Sequence, residues 1–399
     1  RGGGNTKVKG YPEVMGEYPA AAMAEEITDA GDVGIKALVT VAGNPILSTP
    51  HSRQLSDAFE KLELMISVDL YLNETTRHAD VILPVPSQLQ RDHYDVLLLQ
   101  FAIRNVANYS TPVLSLDDGQ PDEWEILAKL GMIAQGLGPD ADPHLADDLA
   151  IEGLVRNSIG DPSSPIHGRN ADEIIDALNA DGRRGPARML DFMLQTGPYG
   201  AGFGTNSGGA SLQLLLDNPH GVDFGALESR LPDALRTRTG MIELAPEPLL
   251  ADVPRLLDSI DEFTKNRFVL VGRRHLKTNN SWMHNIQVLV KGNVRCSLQM
   301  HTDDAKSLDL LSESADEVFV SVTSRVGSVV VPVEITDDIR PGVVSLPHGW
   351  GHDHPGTKMR VAESLSGVNS NILSDHEAMD PLSGTSVLNG IPVSIAKIG

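Results

Sequence analysis

Cysteine is almost missing from this 399-residue sequence, where Cys296 stands alone. One thiol excludes an internal disulfide, a four-cysteine zinc site and a cysteine-held iron–sulfur cluster within the chain. Aromatic residues are scarce at 4%, and 32 Lys and Arg face 54 Asp and Glu, for a formal charge of −22. So acidic a chain repels phosphate backbones and anionic lipid, which argues against nucleic-acid binding and electrostatic docking on a membrane. No apolar run approaches the roughly 18 residues that would mark a membrane span. No basic-then-apolar leader opens the chain and no internal repeat is found, so cytoplasmic residence is the expectation. The opening Arg1-Gly2-Gly3-Gly4, without Met, reads as part of a longer protein. What is present is ordinary for a folded protein, 41% hydrophobic and 22% charged, and at roughly 150 residues per domain the length fits two or three domains.

Residues 1–18 read as a glycine-rich lead-in, followed by a helix from Ala20 to Thr28. Ile35–Val41 (IKALVTV) is a β-branched run that stops at Ala42-Gly43-Asn44-Pro45. Ser52–Leu62 carries Leu55, Ala58, Phe59 and Leu62 at helical spacing. Leu64–Val68 and Val81–Leu83 are two further apolar runs, closed by Asp69 and Pro84. Strand, helix, strand, strand with near-continuous apolar strands predicts an α/β fold with a parallel sheet. A helix bearing Trp124, Ile126, Leu127 and Leu130 follows Asp117-Asp118-Gly119. Residues 144–265 mix short helical patterns (Ala171–Leu178, Ala187–Leu194) with loops, and Gly197–Gly209 reads as mobile or wrapped round a partner. After Phe263 the texture turns to β: Phe268–Val271, Val318–Thr323, Ser328–Ile335 and Val343–Leu346, separated by turn residues, predict a small barrel or sandwich. The expected division is therefore residues 1–135 as part of an α/β domain, 136–265 as a helical and irregular connection, and 266–399 as the β domain.

Four places carry candidate chemistry. Gly43-Asn44-Pro45 ends the first strand, where ligands of parallel sheets bind and a glycine lets the backbone approach a phosphate or sugar. Asp69 ends the next strand, placed to accept from a guanine edge or a ribose diol. A plain tight turn and a turn cap are the alternatives for both. No GxGxxG and no GxxxxGK[ST] is present. Gly272-Arg273-Arg274-His275-Leu276-Lys277 puts three cations in five residues of an acidic chain, which suits a local anion or forms a solvated loop. Asn279-Asn280-Ser281-Trp282 adds amides and an aromatic plane. His348, His352 and His354 share a loop with Asp353. Zinc, with hydrolase chemistry, is one reading of it, although Gly349, Gly351 and Pro355 break any regular ligand geometry. Arg91-Asp92-His93-Tyr94 could supply acid–base groups, with His93 the candidate.

These pieces resemble the C-terminal part of the molybdopterin oxidoreductases, the dimethyl sulfoxide reductase superfamily with its formate dehydrogenases and nitrate reductases. The likeness runs through Ala42-Gly43-Asn44-Pro45, Ser67-Val68-Asp69, Glu74-Thr75 and Ala79-Asp80-Val81-Ile82-Leu83-Pro84. It continues with Gly240-Met241-Ile242-Glu243-Leu244, His301, Asp304-Ala305, Arg340-Pro341-Gly342 and Pro347-His348-Gly349-Trp350. Asn369, Asn371, Leu373 and Asp380-Pro381-Leu382-Ser383-Gly384 close it, so that about residues 30–135 and 220–399 are covered. The resemblance implies a bis(molybdopterin guanine dinucleotide) enzyme of molybdenum or tungsten, with a C-terminal double-psi-like β-barrel over the cofactor. By that likeness Gly43, Asn44, Pro45, Ser48 and Asp69 hold a guanosine, with Glu123 assisting. Arg273, Arg274, Lys277 and Asn279 meet phosphate and pterin, and Asn371 and Ser386 also contact the cofactor. It further implies an N-terminal half of the same enzyme carrying a 4Fe-4S cluster and the metal ligand, and a redox protein or small electron carrier as partner. A non-catalytic subunit that keeps the fold is the alternative. Gln90-Arg91-Asp92-His93-Tyr94 departs from the Glu-x-x-Gly-Thr of many members, so no substrate carries over.

Overall fold

The computed structural model describes residues 4–265, 268–292, 296–311 and 317–398; the first three residues of the lead-in lie outside them. Contacts divide the chain into two compact units, Arg1–Pro84 with Glu243–Gly399, and Val85–Ile242.

In the first unit, a short 3-10 turn and helix α1 (Met23–Thr28) precede strand β1 (Ala37–Val41). Helices α2 (Pro45–Ser48) and α3 (Ser52–Phe59) lead to β2 (Leu64–Val68), and a polar turn leads to β3 (Val81–Leu83). The three strands form a parallel sheet in the order β1-β2-β3, with Val39 opposite Ile66 and Ile66 opposite Val81. The helical spacing seen in the sequence places Leu55, Ala58 and Phe59 against Met65, Ala24 and Ile46, a core on one face of the sheet.

The second unit contains α4 (Glu123–Ala134), α5 (Pro143–Gly160), α6 (Ala171–Leu178) and α7 (Pro186–Thr196), with an antiparallel pair, β4 (Arg104–Ala107) and β5 (Val222–Ala226). Ile151, Val155, Ile166, Ile174, Leu178 and Phe192 give it a core of its own. Buried Arg188 pairs with Asp147 at 2.9 Å. The glycine-rich stretch differs from the expectation of a mobile or partner-bound loop. It closes on its own unit, with Arg169 Nη1 donating to the carbonyls of Gly202 (2.8 Å) and Phe203 (3.0 Å) and Ala210 N to Tyr199 O. Glycines let the chain turn tightly enough for one guanidinium to take both carbonyls.

The rest of the first unit is a closed barrel of β6 (Phe268–Arg273), β7 (Leu298–Met300), β8 (Phe319–Thr323), β9 (Ser328–Ile335), β10 (Val343–Pro347) and β11 (Ile391–Lys397), in the order β10-β6-β11-β8-β9-β7. Alternating inward residues, among them Phe268, Leu270, Val320, Val322, Val331 and Leu346, fill it. Closure removes exposed strand edges.

Candidate functional site at the strand ends and the barrel loops

The loop after β1 is fixed by buried polar groups. Ala42 takes φ 51°, and Asn44 turns its side chain inward: Nδ2 donates to Glu74 Oε2 at 2.8 Å, and Oδ1 accepts from Thr75 Oγ1 at 2.7 Å. Glu74 is fully buried, as is His352, whose Nδ1 lies 2.9 Å from Glu74 Oε1. Its Nε2 meets His284 Nδ1 at 2.7 Å, and the His284 ring lies 4.3 Å from that of Trp350. Burial alone would raise the Glu74 carboxyl. The His352 hydrogen bond and charge, with the Asn44 amide, outweigh it and hold the group below its ordinary range. An ionised Glu74 requires a proton on His352 Nδ1. His284 is driven the other way by burial, down to about 3, and stays neutral. A continuous Asn44–Glu74–His352–His284 chain thus ties the strand-end loop to the barrel loop around Trp350.

Asn369 and Asn371 make a second tie: Asn369 Nδ2 donates to Ile46 O (3.0 Å) and Asn371 Nδ2 to Leu47 O (2.7 Å), capping carbonyls of α2. Both amides are buried. Gly349 (φ 88°) and Gly351 (φ 112°) are needed where they stand, because a Cβ would fall 2.2 Å from Asn280 O and 2.6 Å from Asn369 Cβ.

Where does this frame leave room for a ligand? At Gly43 a Cβ would meet Val41 O at 3.8 Å and Pro45 Cδ at 3.9 Å, ordinary van der Waals contact. Ser48 is exposed. Asp69 is half-buried; Oδ1 accepts from the Leu70 and Tyr71 amides (2.6 and 3.1 Å), and Oδ2 has only a long contact to Asn73 Nδ2 at 3.3 Å. Burial raises its carboxyl against those amides. Beneath the loop that follows β6, a cavity of about 140 Å³ is lined by His275, Lys277, His284, Lys291 and Trp350 among others. Among the described residues the buried indole Nε1 of Trp350 has no hydrogen-bond partner. Lys277 is exposed, and among the described residues it makes no ion pair. A cation, an imidazole and an unpaired indole N–H suit an anionic group attached to a heterocycle.

Other residues singled out in the sequence are engaged elsewhere. Arg273 is spent inside the barrel, with Nη1 on Ser345 O (2.6 Å) and Nη2 on Ser297 O (2.8 Å). Arg274 bonds the Asn280 side chain. Asn279 is exposed at φ 41°, and Ser386 is half-buried, its backbone bridging Met379. In the other unit, Glu123 is the first residue of α4 and pairs with Arg91. His93 is exposed, its backbone paired with Ser110. The zinc reading of the His348, His352 and His354 loop is corrected: both ring nitrogens of His352 are taken by Glu74 and His284. Among the described residues no three His, Cys, Asp or Glu converge as a metal site. A larger cavity of about 640 Å³ flanks the barrel, but the Arg325 guanidinium on its wall is closed off by Asp375 and Glu377. Glu74, His352 in its present role, His284 and Asn369 were not anticipated as one group. The polar run Asn73-Glu74-Thr75-Thr76 between two apolar strands was the available signal.

Residues 268–392, which span the barrel, match the Molydopterin dinucleotide binding domain. The chain is 27% identical over 306 residues to a putative dimethyl sulfoxide reductase catalytic chain of Halobacterium salinarum, covering 75% of this chain and 31% of that protein. It is 24% identical over 347 residues to the alpha chain of the F420-dependent formate dehydrogenase of Methanocaldococcus jannaschii, covering 84% and 42%. Acetylene hydratase from Pelobacter acetylenicus has a similar fold, with a TM-score of 0.55 at 18% identity over 95% of this chain and 46% of that one. The barrel is therefore a molybdopterin-dinucleotide-binding domain. Beyond the barrel, the chain is similar to catalytic chains of the molybdopterin oxidoreductase superfamily, in their C-terminal region. It spans about a third to two fifths of the length of these curated relatives.

Proposed function

We propose that this chain holds a molybdopterin guanine dinucleotide, of the bis form with molybdenum or tungsten, within an oxidoreductase. The observation that carries the reading is a cavity walled by Lys277 and by Trp350, whose buried indole N–H has no partner among the described residues, in the segment matched to that family of domains. When bound, such a cofactor supplies a metal centre that passes electrons or an oxygen atom. This chain's own part is to bind and orient. Lys277 and Trp350 meet phosphate or pterin edges, the backbone at Gly43 with exposed Ser48 meets the nucleotide, and Asp69 Oδ2 accepts from a guanine edge. Asn44 and Asn371 act through the loop they fix rather than by touching the ligand, and Arg273 acts through the barrel.

The metal ligand, any 4Fe-4S cluster and the electron partner belong to polypeptide beyond the residues described. Cys296 is buried, and burial pushes its thiol up to about 11, which makes it a poor ligand.

Cofactor occupancy per folded molecule, measured in Asp69→Ala, Lys277→Gln and Asp80→Ala, tests the placement. Asp80 Oδ2 accepts from Met65 N at 2.8 Å and so stabilises β2. Asp69→Ala and Lys277→Gln should each lower occupancy several-fold, while Asp80→Ala lowers the melting temperature and leaves occupancy in the folded fraction unchanged. Equal occupancy in all three contradicts the assignment.

A further inference from the structure

The corner between α2 and α3 is held by two histidines that the cofactor reading does not use. His51 sits between the helices at φ 52°, a left-handed backbone, and its amide donates to Ser374 O at 3.0 Å. Its ring meets that of His376 with the two Nδ1 atoms 3.2 Å apart, the planes inclined by 20° and the centroids 4.9 Å from each other. His51 Nδ1 is also 2.8 Å from Gln54 Oε1, which can only accept. The proton therefore lies on His51 Nδ1, and His376 Nδ1 offers its lone pair.

The charges packed around the pair are engaged with one another. Arg325, from the turn between β8 and β9, donates to Asp375 Oδ1 at 2.6 Å and to Glu377 Oε2 at 2.7 Å. Lys9, from the lead-in, lies 3.0 Å from Glu25 Oε2 on α1 and 3.4 Å from Glu377 Oε1. Asp375 Oδ1 stays 3.9 Å from His376 Nδ1, too far for a hydrogen bond. A second proton on the pair would thus set N–H against N–H across 3.2 Å, with no acceptor between them. Burial, the His51 ring and Lys9 together outweigh Asp375 and Glu377 and hold His376 below its ordinary 6.5.

We infer that His51 and His376 form a pH-operated clasp: one shared proton holds the 374–377 loop against the α2–α3 corner, and a second proton drives the rings apart and frees that loop. The release reaches α2. Ser374 Oγ donates to Asn371 Oδ1 at 3.1 Å, and the Asn371 amide caps the Leu47 carbonyl, so a freed loop loosens the turn that carries Ser48. The sign follows from linkage. The open loop binds its proton at the ordinary value and the closed loop more weakly, so closure is strongest above about pH 6.5 and weakens as pH falls below it. The clasp is built from this chain's own residues and stands whether or not the cofactor assignment does.

Amide hydrogen exchange on the 399-residue chain, with no cofactor added, tests this. Protection is taken against the free-peptide rate at the same pH. The His51 amide reports the clasp, and the Met65 amide, which donates to Asp80 Oδ2, reports the sheet. From about pH 7.5 to about pH 5.5 we expect His51 protection to fall at least about threefold and at most about tenfold, the ceiling that one proton sets one unit below 6.5, while Met65 keeps its protection. In His376→Asn, whose Oδ1 replaces the ring acceptor without titrating, the His51 amide should stay protected at both pH values. In His376→Lys, with a fixed charge, it should be less protected at both than the parent at the higher pH. No fall in the parent chain overturns the inference. So does an equal fall at His51 and Met65, which is general loosening, or an equal fall in the parent and His376→Asn. A His376→Lys chain as protected as the parent at the higher pH overturns it too.

Discussion

Glu74 shows how a buried charge is made tolerable. Removing a carboxylate from water costs several kcal/mol unless hydrogen bonds replace the solvent. Here the Asn44 amide takes one oxygen and the His352 ring the other. Glu74→Gln keeps the shape but presents an N–H₂ or a weaker acceptor to these donors, and should cost about 2–4 kcal/mol in urea unfolding. A loss below about 0.5 kcal/mol would mean the pair contributes little. His284 gives the pH dependence its sign. Its folded-state value is depressed to about 3 from an ordinary 6.5, so the unfolded chain binds the extra proton first. Its contribution is complete above about pH 6.5 and declines as pH falls toward 3; the lowered Glu74 carboxyl adds a loss in the same direction below about 4.5. Urea midpoints should therefore drop between pH 6.5 and 4.5 in the parent protein and drop less in His284→Gln.

At the scale of elements, the glycines of the 348–354 loop decide more than its histidines. Gly349→Ala places a Cβ 2.2 Å from Asn280 O at a positive φ, and should cost roughly 2 kcal/mol or more with lost Trp350 burial, read as a red shift in tryptophan emission. An unshifted spectrum and midpoint would remove that role from Gly349. Apolar runs between turn residues marked β1, β2, β3, β6, β8, β9 and β10 in the sequence, because period and punctuation are local properties. β11 escaped because Pro392 speaks against a strand, yet Pro392 sits opposite Val269 in the barrel. α5 escaped because its apolar residues surround the helix, with Ile151 and Val155 buried while Leu145 and Leu149 are exposed. The site was less legible than the fold. Three cations within five residues look alike as text, and only folding shows that Arg273 is taken by carbonyls from Ser345 and Ser297, which are far away in sequence, while Lys277 is left outside. The lone histidine motif suggested zinc for the same reason: the partner of His352 is 278 residues away.

Over the whole molecule, the formal charge of −22 and the basic loop after β6 are two sides of one property. A chain that repels polyanions everywhere else concentrates cations and an indole donor at one cavity, next to a barrel of the molybdopterin-dinucleotide-binding family. The central claim is that the protein carries such a cofactor, and its most direct test is composition. The native protein should be analysed for molybdenum and tungsten by plasma mass spectrometry, and for pterin by fluorescence after acid oxidation. The account predicts one of the two metals together with an oxidised pterin, in near-stoichiometric ratio to protein. Neither metal and no pterin fluorescence would contradict it.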